Sequence, residues 1–199
     1  PETVTDYEIG IKADWHTPIG HFRTNIDGYY QNYKDIQRTQ TTLVNGLLVT
    51  NVVNAATGRV KGVEADVTWT PVRWIELHGY YSYTDAAYKK WLVPLAGGGF
   101  QDRSAYKFAN TPRNSGGGSV TLLHDLDNEA GQLAFTVDGY AQSHMQTSDD
   151  NVLPEGIIQG YKLFNARVEW RDVLGKHVTL GAFIRNLSKE KYYTSGVTV

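Results

Sequence analysis

The sequence predicts an all-β protein whose antiparallel strands form part of an up-and-down transmembrane β-barrel. Three observations predict this fold. Apolar and polar residues alternate with period two in eight segments, short and long connections follow one another in strict turn, and four of the five tryptophans lie beside a short connection. Such alternation gives each strand one apolar and one polar face, as in a barrel with lipid outside and water inside.

Each of the eight segments is long enough for the roughly 9 to 11 residues that a tilted strand needs to cross the hydrocarbon layer. In the first segment, Tyr7, Ile9 and Ile11 share one face, and the polar residues between them share the other. No helical pattern of useful length competes with this interpretation. We therefore expect strands over residues 3–15, 22–33, 59–70, 74–86, 115–126, 132–146, 161–171 and 177–187.

The connections between these strands alternate in length. The short ones cover residues 16–21, 71–73, 125–131 and 172–176, and the long ones cover residues 34–58, 87–112 and 147–160. Outer-membrane barrels have short periplasmic turns and long extracellular loops, whereas a sandwich with Greek-key connections has no reason for this asymmetry. The pattern therefore gives the strands a direction, with the short connections on the periplasmic side.

The tryptophans support the same orientation. An indole ring favours the membrane–water interface, where its apolar body meets lipid and its N–H reaches a polar partner. We expect a periplasmic interface girdle formed by Trp15, Trp69, Trp74 and Trp170.

Composition excludes several classes of protein. The net charge of -2 and the scattering of the 19 basic residues argue against a nucleic-acid partner. The absence of cysteine excludes disulfides and cysteine-ligated metal. No apolar run approaches the roughly 20 residues of a spanning helix. No metal, cofactor or catalytic pattern stands out, and we expect a protein that is not an enzyme.

The direction of the strands places both ends of the chain on the extracellular side. A self-contained barrel is expected to have its ends in the periplasm, and eight strands closed on themselves would leave no transport path. Residues 190–193 also resume a strand-like pattern, as if a ninth strand began there. We therefore expect further barrel strands on both sides of this segment.

Several short motifs, in this order, resemble the C-terminal barrel of TonB-dependent receptors. The motifs are Pro1-Glu2-Thr3-Val4, Tyr7-Glu8-Ile9-Gly10-Ile11-Lys12, Tyr29-Tyr30-Gln31-Asn32-Tyr33-Lys34-Asp35-Ile36-Gln37, Asn54 and Gly58 before Gly62-Val63-Glu64-Ala65, Asn110-Thr111-Pro112, Arg185-Asn186-Leu187 and Lys191-Tyr192-Tyr193. The likeness rests on their order and spacing and covers essentially the whole chain.

The resemblance implies a barrel of about 22 strands in the outer membrane of a Gram-negative bacterium, of which this chain supplies about eight. Such receptors import scarce nutrients, most often ferric siderophores, with an N-terminal plug domain and energy supplied through TonB. Residues 1–199 would then be a partial barrel domain without the plug and without the last strand. The implied partners are outer-membrane lipid, an extracellular ligand such as a ferric siderophore, the plug domain and TonB.

Ligand contacts are expected in the long connections, because ligands arrive from outside and loops carry recognition. The best candidates are Tyr88, Trp91, Arg103, Tyr106 and Lys107, whose rings and cations suit an anionic or catecholate-like ligand. The alternative is that these residues only fold the loop.

Other interpretations remain open from the sequence. A metal site formed by His144, Met145, Asp149 and Asp150 matches no defined ligand set, and an ordinary solvated loop explains these residues. A secreted β-sandwich that binds carbohydrate on exposed Tyr and Trp is the main alternative function. An enzyme on a small outer-membrane barrel would need periplasmic ends and clustered catalytic residues, and neither is evident.

Overall fold

The structure is a computed structural model and describes residues 1–44, 47–95, 98–127, 129–148 and 156–194. Its strands are β1 (Thr3–Thr17), β2 (Gly20–Val44), β3 (Leu47–Val72), β4 (Ile75–Pro94), β5 (Phe100–Asp102), β6 (Asn114–Asp125), β7 (Gln132–Gln142), β8 (Met145–Gln146), β9 (Ile157–Ile158), β10 (Tyr161–Arg171) and β11 (Leu180–Ile184). Among these described residues, no helix is long and apolar enough to span a membrane.

Eight of the strands form one antiparallel up-and-down sheet in the order β1-β2-β3-β4-β6-β7-β10-β11. The short strand β5 pairs with β4, and β8 pairs with β9 in a separate small ladder. The sheet is open, since β1 and β11 each pair with a single neighbour in the described part of the chain. The predicted barrel topology is confirmed, and the alternative of a sandwich made of two packed sheets is wrong.

The strand register places residues of like polarity in continuous rows. One row crosses all eight strands through Trp15, Phe22, Trp69, Leu77, Val120, Val137, Ala166 and Ile184. The adjacent row, on the opposite face, contains Asp14, Arg23, Thr68, His78, Ser119, Asp138 and Asn165. We call the two sides of the sheet the apolar face and the polar face, as these two rows define them.

The apolar face has little cover from the rest of the described chain. Val120 is 44% exposed, Phe135 46% and Ile9 82%. A sheet in water buries such a face against another layer of structure. Large apolar side chains are thus exposed on this face from β1 to β11, as a lipid-facing wall requires.

Two strands are much longer than the sequence predicted. Residues 34–44 and 47–58 lie in strands and not in a loop, because β2 and β3 continue to pair as far as Val44 and Leu47. At roughly 3.3 Å per residue, the 26 residues of β3 reach about 85 Å, far more than a membrane crossing needs. The register shift after Tyr33 moves the side chains that follow to the other face, which explains why period-two alternation fails to reveal this extension.

The other boundaries differ more modestly. β4 continues to Pro94, β7 ends at Gln142, and β11 is confined to Leu180–Ile184. Residues 190–193 form no strand, and the prediction that a ninth strand begins there is wrong. Instead, the Tyr192 ring stacks on the Tyr161 ring with centroids 4.5 Å apart.

Short connections are confirmed between β1 and β2, β3 and β4, β6 and β7, and β10 and β11. The first has a backbone requirement, because Gly20 has φ of 115° and an added Cβ would lie 2.6 Å from the Pro71 Cα atom. Only glycine fits this turn without displacing its neighbour.

Candidate functional site

The main buried cluster of side chains lies on the extended part of β2, β3 and β4. It contains Ile36, Ala56, Tyr88, Trp91 and Val93, with Tyr33, Ala55, Tyr106 and Phe108 packed against it. We call this set the aromatic cluster. It continues the polar face of the sheet, since Tyr88 pairs in register with Gly58 and an added Cβ on Gly58 would meet the Phe108 ring at 3.0 Å.

Tyr88 and Trp91 form the centre of the aromatic cluster. They lie on β4 and not in a loop, so the predicted loop position of these two residues is wrong. Trp91 is 3% exposed and Tyr88 is 5% exposed, with ring centroids 4.7 Å apart. Phe108 stacks on Tyr88 at 4.2 Å. A bulge at this point in β4 brings both side chains to the same side of the strand.

Arg103 and Tyr106 lie in the connection after β5 and close over Trp91. The Arg103 guanidinium carbon is 5.8 Å from the Trp91 ring and 5.5 Å from the Tyr106 ring. The Arg103 amide also donates to the Trp91 carbonyl at 2.8 Å. These cation–π and backbone contacts fasten the connection to β4.

Arg38 contacts the aromatic cluster, although no pattern in the sequence pointed to it. Its guanidinium lies 5.3 Å from the Tyr88 ring centroid and donates through Nε to the Tyr88 hydroxyl at 3.1 Å. It also lies 5.8 Å from the Trp91 ring. Arg38 falls in residues 34–58, where the prediction of a loop removed any reason to place it opposite β4.

Asp102 stabilises the turn that brings Arg103 over the cluster. Its carboxylate accepts hydrogen bonds from the Ser104 hydroxyl and from the Ser104 amide at 2.8 Å. These bonds lower the pKa of Asp102 below its ordinary value of 3.8. The Ser104 hydroxyl oxygen in turn accepts from the Trp91 amide at 2.9 Å.

Lys107 is separated from the centre of the cluster and exposed. It lines a cavity of about 270 Å³ together with Asp85, Phe108, Arg113, His144 and Met145, among others. Arg113 stacks over the Tyr83 ring at 5.4 Å and donates to the Tyr83 hydroxyl at 2.9 Å, a bond that raises the pKa of Arg113. The structure thus divides the predicted ligand residues into a buried pair, a closing pair and one exposed cation beside a cavity.

The metal site considered from the sequence lies only partly within the described residues. No group of three or more His, Asp and Glu side chains there is arranged to hold a metal ion. His144 and Met145 line the cavity beside Lys107, whereas Asp149 and Asp150 lie outside the described residues. On the polar face, Asp66 and His78 are 2.7 Å apart within a row of other polar side chains.

Of the four tryptophans predicted to form the girdle, three have an N–H partner near the short connections. The indole of Trp69 donates to the Ile19 carbonyl at 2.9 Å and that of Trp170 to the Ala130 carbonyl at 2.8 Å. Trp15 donates to the Thr24 hydroxyl at 2.9 Å, and Trp74 is 53% exposed. The rings of Trp15, Trp69 and Trp170 lie in register with the apolar face.

The opposite end of the apolar face is charged. Val63 and Tyr83 form one of its last apolar pairs, and the next outward-facing pair is Lys61 and Asp85, with Nζ and Oδ2 3.6 Å apart. Arg59 also contacts Asp85, at 3.3 Å. The apolar face therefore lies between tryptophans at one end and charged side chains at the other.

Comparisons with known proteins agree with this architecture. The family model described as TonB dependent receptor-like, beta-barrel matches residues 1–187. No curated protein matches the sequence. Solved structures do match, among them the ferric yersiniabactin uptake receptor FyuA from Yersinia pestis, with 16% identity, a TM-score of 0.73 and coverage of 100% of this chain and 27% of that chain.

Two structures from Acinetobacter baumannii are similar as well. The ferric preacinetobactin receptor BauA has 19% identity, a TM-score of 0.66 and coverage of 95% of this chain and 26% of that chain. The siderophore receptor PiuA has 19% identity, a TM-score of 0.65 and coverage of 96% and 25%. At these identities the likeness concerns the fold, and the chain spans about a quarter of the length of each structure.

The family consists of receptors and transporters of the Gram-negative outer membrane and not of enzymes. The match to the family model covers nearly the whole chain, and the sheet order, the two faces and the connection lengths agree with it. This chain therefore belongs to the TonB-dependent receptor family and forms part of its β-barrel.

Proposed function

We propose that this chain is part of an outer-membrane receptor of a Gram-negative bacterium that imports a ferric siderophore by a TonB-dependent mechanism. The observation that carries the proposal is the pair of adjacent rows, one apolar and one polar, across eight strands of a sheet in a TonB-dependent receptor barrel. FyuA is a ferric yersiniabactin uptake receptor, BauA a ferric preacinetobactin receptor and PiuA a siderophore receptor, and these similar structures support this ligand class.

We further propose that residues 1–199 are about eight of the roughly 22 strands of the complete barrel. The plug domain, the TonB-contacting segment and the last strand would be parts of the same receptor outside this chain. The open edges of β1 and β11 support this arrangement, because an unpaired strand edge in hydrocarbon leaves backbone groups without hydrogen bonds.

The proposed orientation puts the short connections in the periplasm and the aromatic cluster outside the cell. Trp15, Trp69, Trp74 and Trp170 then form the periplasmic interface girdle in contact with lipid. The N–H bonds of Trp69 and Trp170 to turn carbonyls and the position of all four residues near one end of the sheet support this role. The charged Lys61 and Asp85 mark the opposite interface.

In the proposed ligand site, the predicted residues have two different roles. Tyr88 and Trp91 are buried and hold the connection above them, together with Arg103 and Tyr106. Lys107, exposed beside the cavity with Arg113, is the residue we expect to contact an anionic ferric chelate. The charge of both residues suits such a ligand.

Binding of ferric siderophores to the complete receptor tests this assignment. A charge-assisted bond contributes about 1.5–3 kcal/mol, so Lys107→Ala should weaken binding about 10- to 100-fold. Lys176→Ala is the matched control, because Lys176 is an exposed lysine beside a short connection at the opposite end. The proposal would be contradicted if the complete receptor bound no ferric siderophore, or if Lys107→Ala and Lys176→Ala bound it with equal affinity.

A further inference from the structure

The apolar face contains a groove where small residues replace large side chains. Gly116, Gly118, Gly139 and Ala141 lie in register on the apolar face of β6 and β7. The groove over them has a volume of about 560 Å³, and Leu77, Val120, Val137 and Phe164 contribute to its walls. An added Cβ on Gly139 would meet the Phe164 ring at 3.0 Å, which shows how closely this ring borders the groove.

A lysine stands at one end of this groove. Lys162 pairs in register with Ala141 on the apolar face and lines the groove near the beginning of β10. Its side chain is exposed, and it makes no ion pair with any acidic residue in the described parts of the chain. A cation at the end of an apolar groove complements an amphipathic molecule with an anionic head.

A second groove on the same face also has a lysine at its end, although this lysine is ion-paired with Asp85. It has a volume of about 510 Å³, with Ile9, Gly28 and Val63 among the residues that line it and Lys61 at its end. An added Cβ on Gly28 would meet nothing closer than 3.8 Å, so the floor of this groove is open. Both lysines lie at the end of the apolar face where the charged residues begin, opposite the tryptophans.

We infer that the outer surface of this wall binds a phosphate-bearing lipid of the outer leaflet, with an acyl chain in the groove beside Phe164 and a phosphate on Lys162. The inference rests on the proposed function, because it takes the apolar face to contact the outer membrane. His78, Ser119 and Asp138 also line the groove but belong by register to the polar face. Lipid is the occupant that fits, since the groove residues of the apolar face are uncharged except for Lys162, at the end that would meet lipid headgroups.

Native mass spectrometry of the complete receptor in neutral detergent, titrated with diphosphoryl lipid A, tests the inference. Lys162→Gln keeps most of the side chain and removes the charge, and is expected to weaken binding about fivefold. Ala141→Phe fills the groove and is expected to weaken binding about tenfold or more, because it displaces a few methylene groups of the acyl chain.

Matched controls place the same changes outside the groove. Lys176→Gln removes a lysine charge at the opposite end of the sheet. Ala166→Phe adds a ring on the apolar face of β10, at a position that does not line the groove. Both should bind the lipid as the unchanged receptor does. The inference would be overturned if Lys162→Gln and Lys176→Gln bound diphosphoryl lipid A equally well. It would also be overturned if the unchanged receptor bound dephosphorylated lipid A as well as the diphosphoryl form. A receptor dimer lost on Ala141→Phe would also overturn it, because the occupant would then be a second copy.

Ferric-siderophore binding by the same variants separates this inference from the proposed function. Lys162 and Ala141 lie outside the aromatic cluster and the cavity beside Lys107, so siderophore affinity should not change. Lipid binding that follows the expected pattern in a receptor without siderophore affinity would contradict the proposed ligand alone. Siderophore binding without phosphate-dependent lipid binding would contradict the lipid site alone.

Discussion

Removal of the Trp91 ring is expected to release the connection that follows β5 while the barrel wall stays folded. Trp91 is 3% exposed and contacts the rings of Tyr88 and Tyr106, with centroid distances of 4.7 and 5.8 Å. Truncation of a buried aromatic residue to alanine costs about 3–5 kcal/mol. The cost should be local, because Trp91 packs in the extended part of the sheet beyond the apolar face.

Hydrogen exchange at two backbone amides reports this release. The Arg103 amide donates to the Trp91 carbonyl at 2.8 Å, and the Tyr106 amide donates to the Arg103 carbonyl at 2.9 Å. A local loss of about 3–5 kcal/mol lowers the protection of both amides by roughly two to three and a half orders of magnitude. Amides in the middle of β6 and β7 should keep their protection.

Two further variants sharpen the test. Trp91→Phe keeps a ring in the cluster and removes an indole N–H that is buried without a partner among the described residues, so we expect a cost below about 1.5 kcal/mol. Trp74→Ala removes a half-exposed tryptophan at the opposite end and should leave both amides unchanged. Unchanged protection of Arg103 and Tyr106 in Trp91→Ala would refute the role of Trp91 as the anchor of this connection.

Three further predictions concern the apolar face, a close contact between strands and a turn. Val120→Lys should lower the free energy of unfolding by about 2–4 kcal/mol in lipid vesicles, measured with urea, whereas the adjacent Ser119→Lys on the polar face should be tolerated. Gly62→Ala should cost about 1–3 kcal/mol, because its Cβ would lie 2.2 Å from a backbone oxygen of β4, whereas Gly28→Ala meets nothing within 3.4 Å and should be neutral. The hydrogen bonds that lower the pKa of Asp102 stabilise its turn above pH 3.8 and are lost as the pH falls through the lowered pKa. Hydrogen exchange of the serine amide bound to the Asp102 carboxylate should therefore become faster only below pH 3.8. The first prediction would be contradicted if Val120→Lys and Ser119→Lys lowered the free energy of unfolding equally, and the second if Gly62→Ala left it unchanged. The third would be contradicted if the serine amide lost its protection from exchange near neutral pH.

The strands of the barrel wall could be predicted from the sequence, because apolar and polar residues alternate along them. Val120 and Ser119 fall on opposite faces in the sequence pattern and in the structure alike, and the same holds along the other strands of the sheet. The short connections were also predictable, since turn residues such as Gly20 interrupt the alternation sharply.

The region beyond the apolar face was not predictable in the same way. Residues 34–44 and 47–58 pair as long strands, with a buried cluster on one side, but the register shift after Tyr33 exchanges the faces and interrupts the alternation. Consequently Arg38 could not be placed beside Tyr88, although the two are hydrogen-bonded. The aromatic and cationic composition around Trp91 singled out this segment as a candidate, and only the packing shows which of its residues are buried.

Site-directed spin labelling along β6 tests the central claim, that one face of this sheet meets lipid and the other lines the barrel. The chain contains no cysteine, so single cysteines at positions 119 to 122 can be labelled without removing native thiols. In vesicles, we predict greater access of oxygen at Val120 and Leu122 and greater access of a water-soluble nickel chelate at Ser119 and Thr121. Equal access at all four positions, or the opposite alternation, would contradict the account.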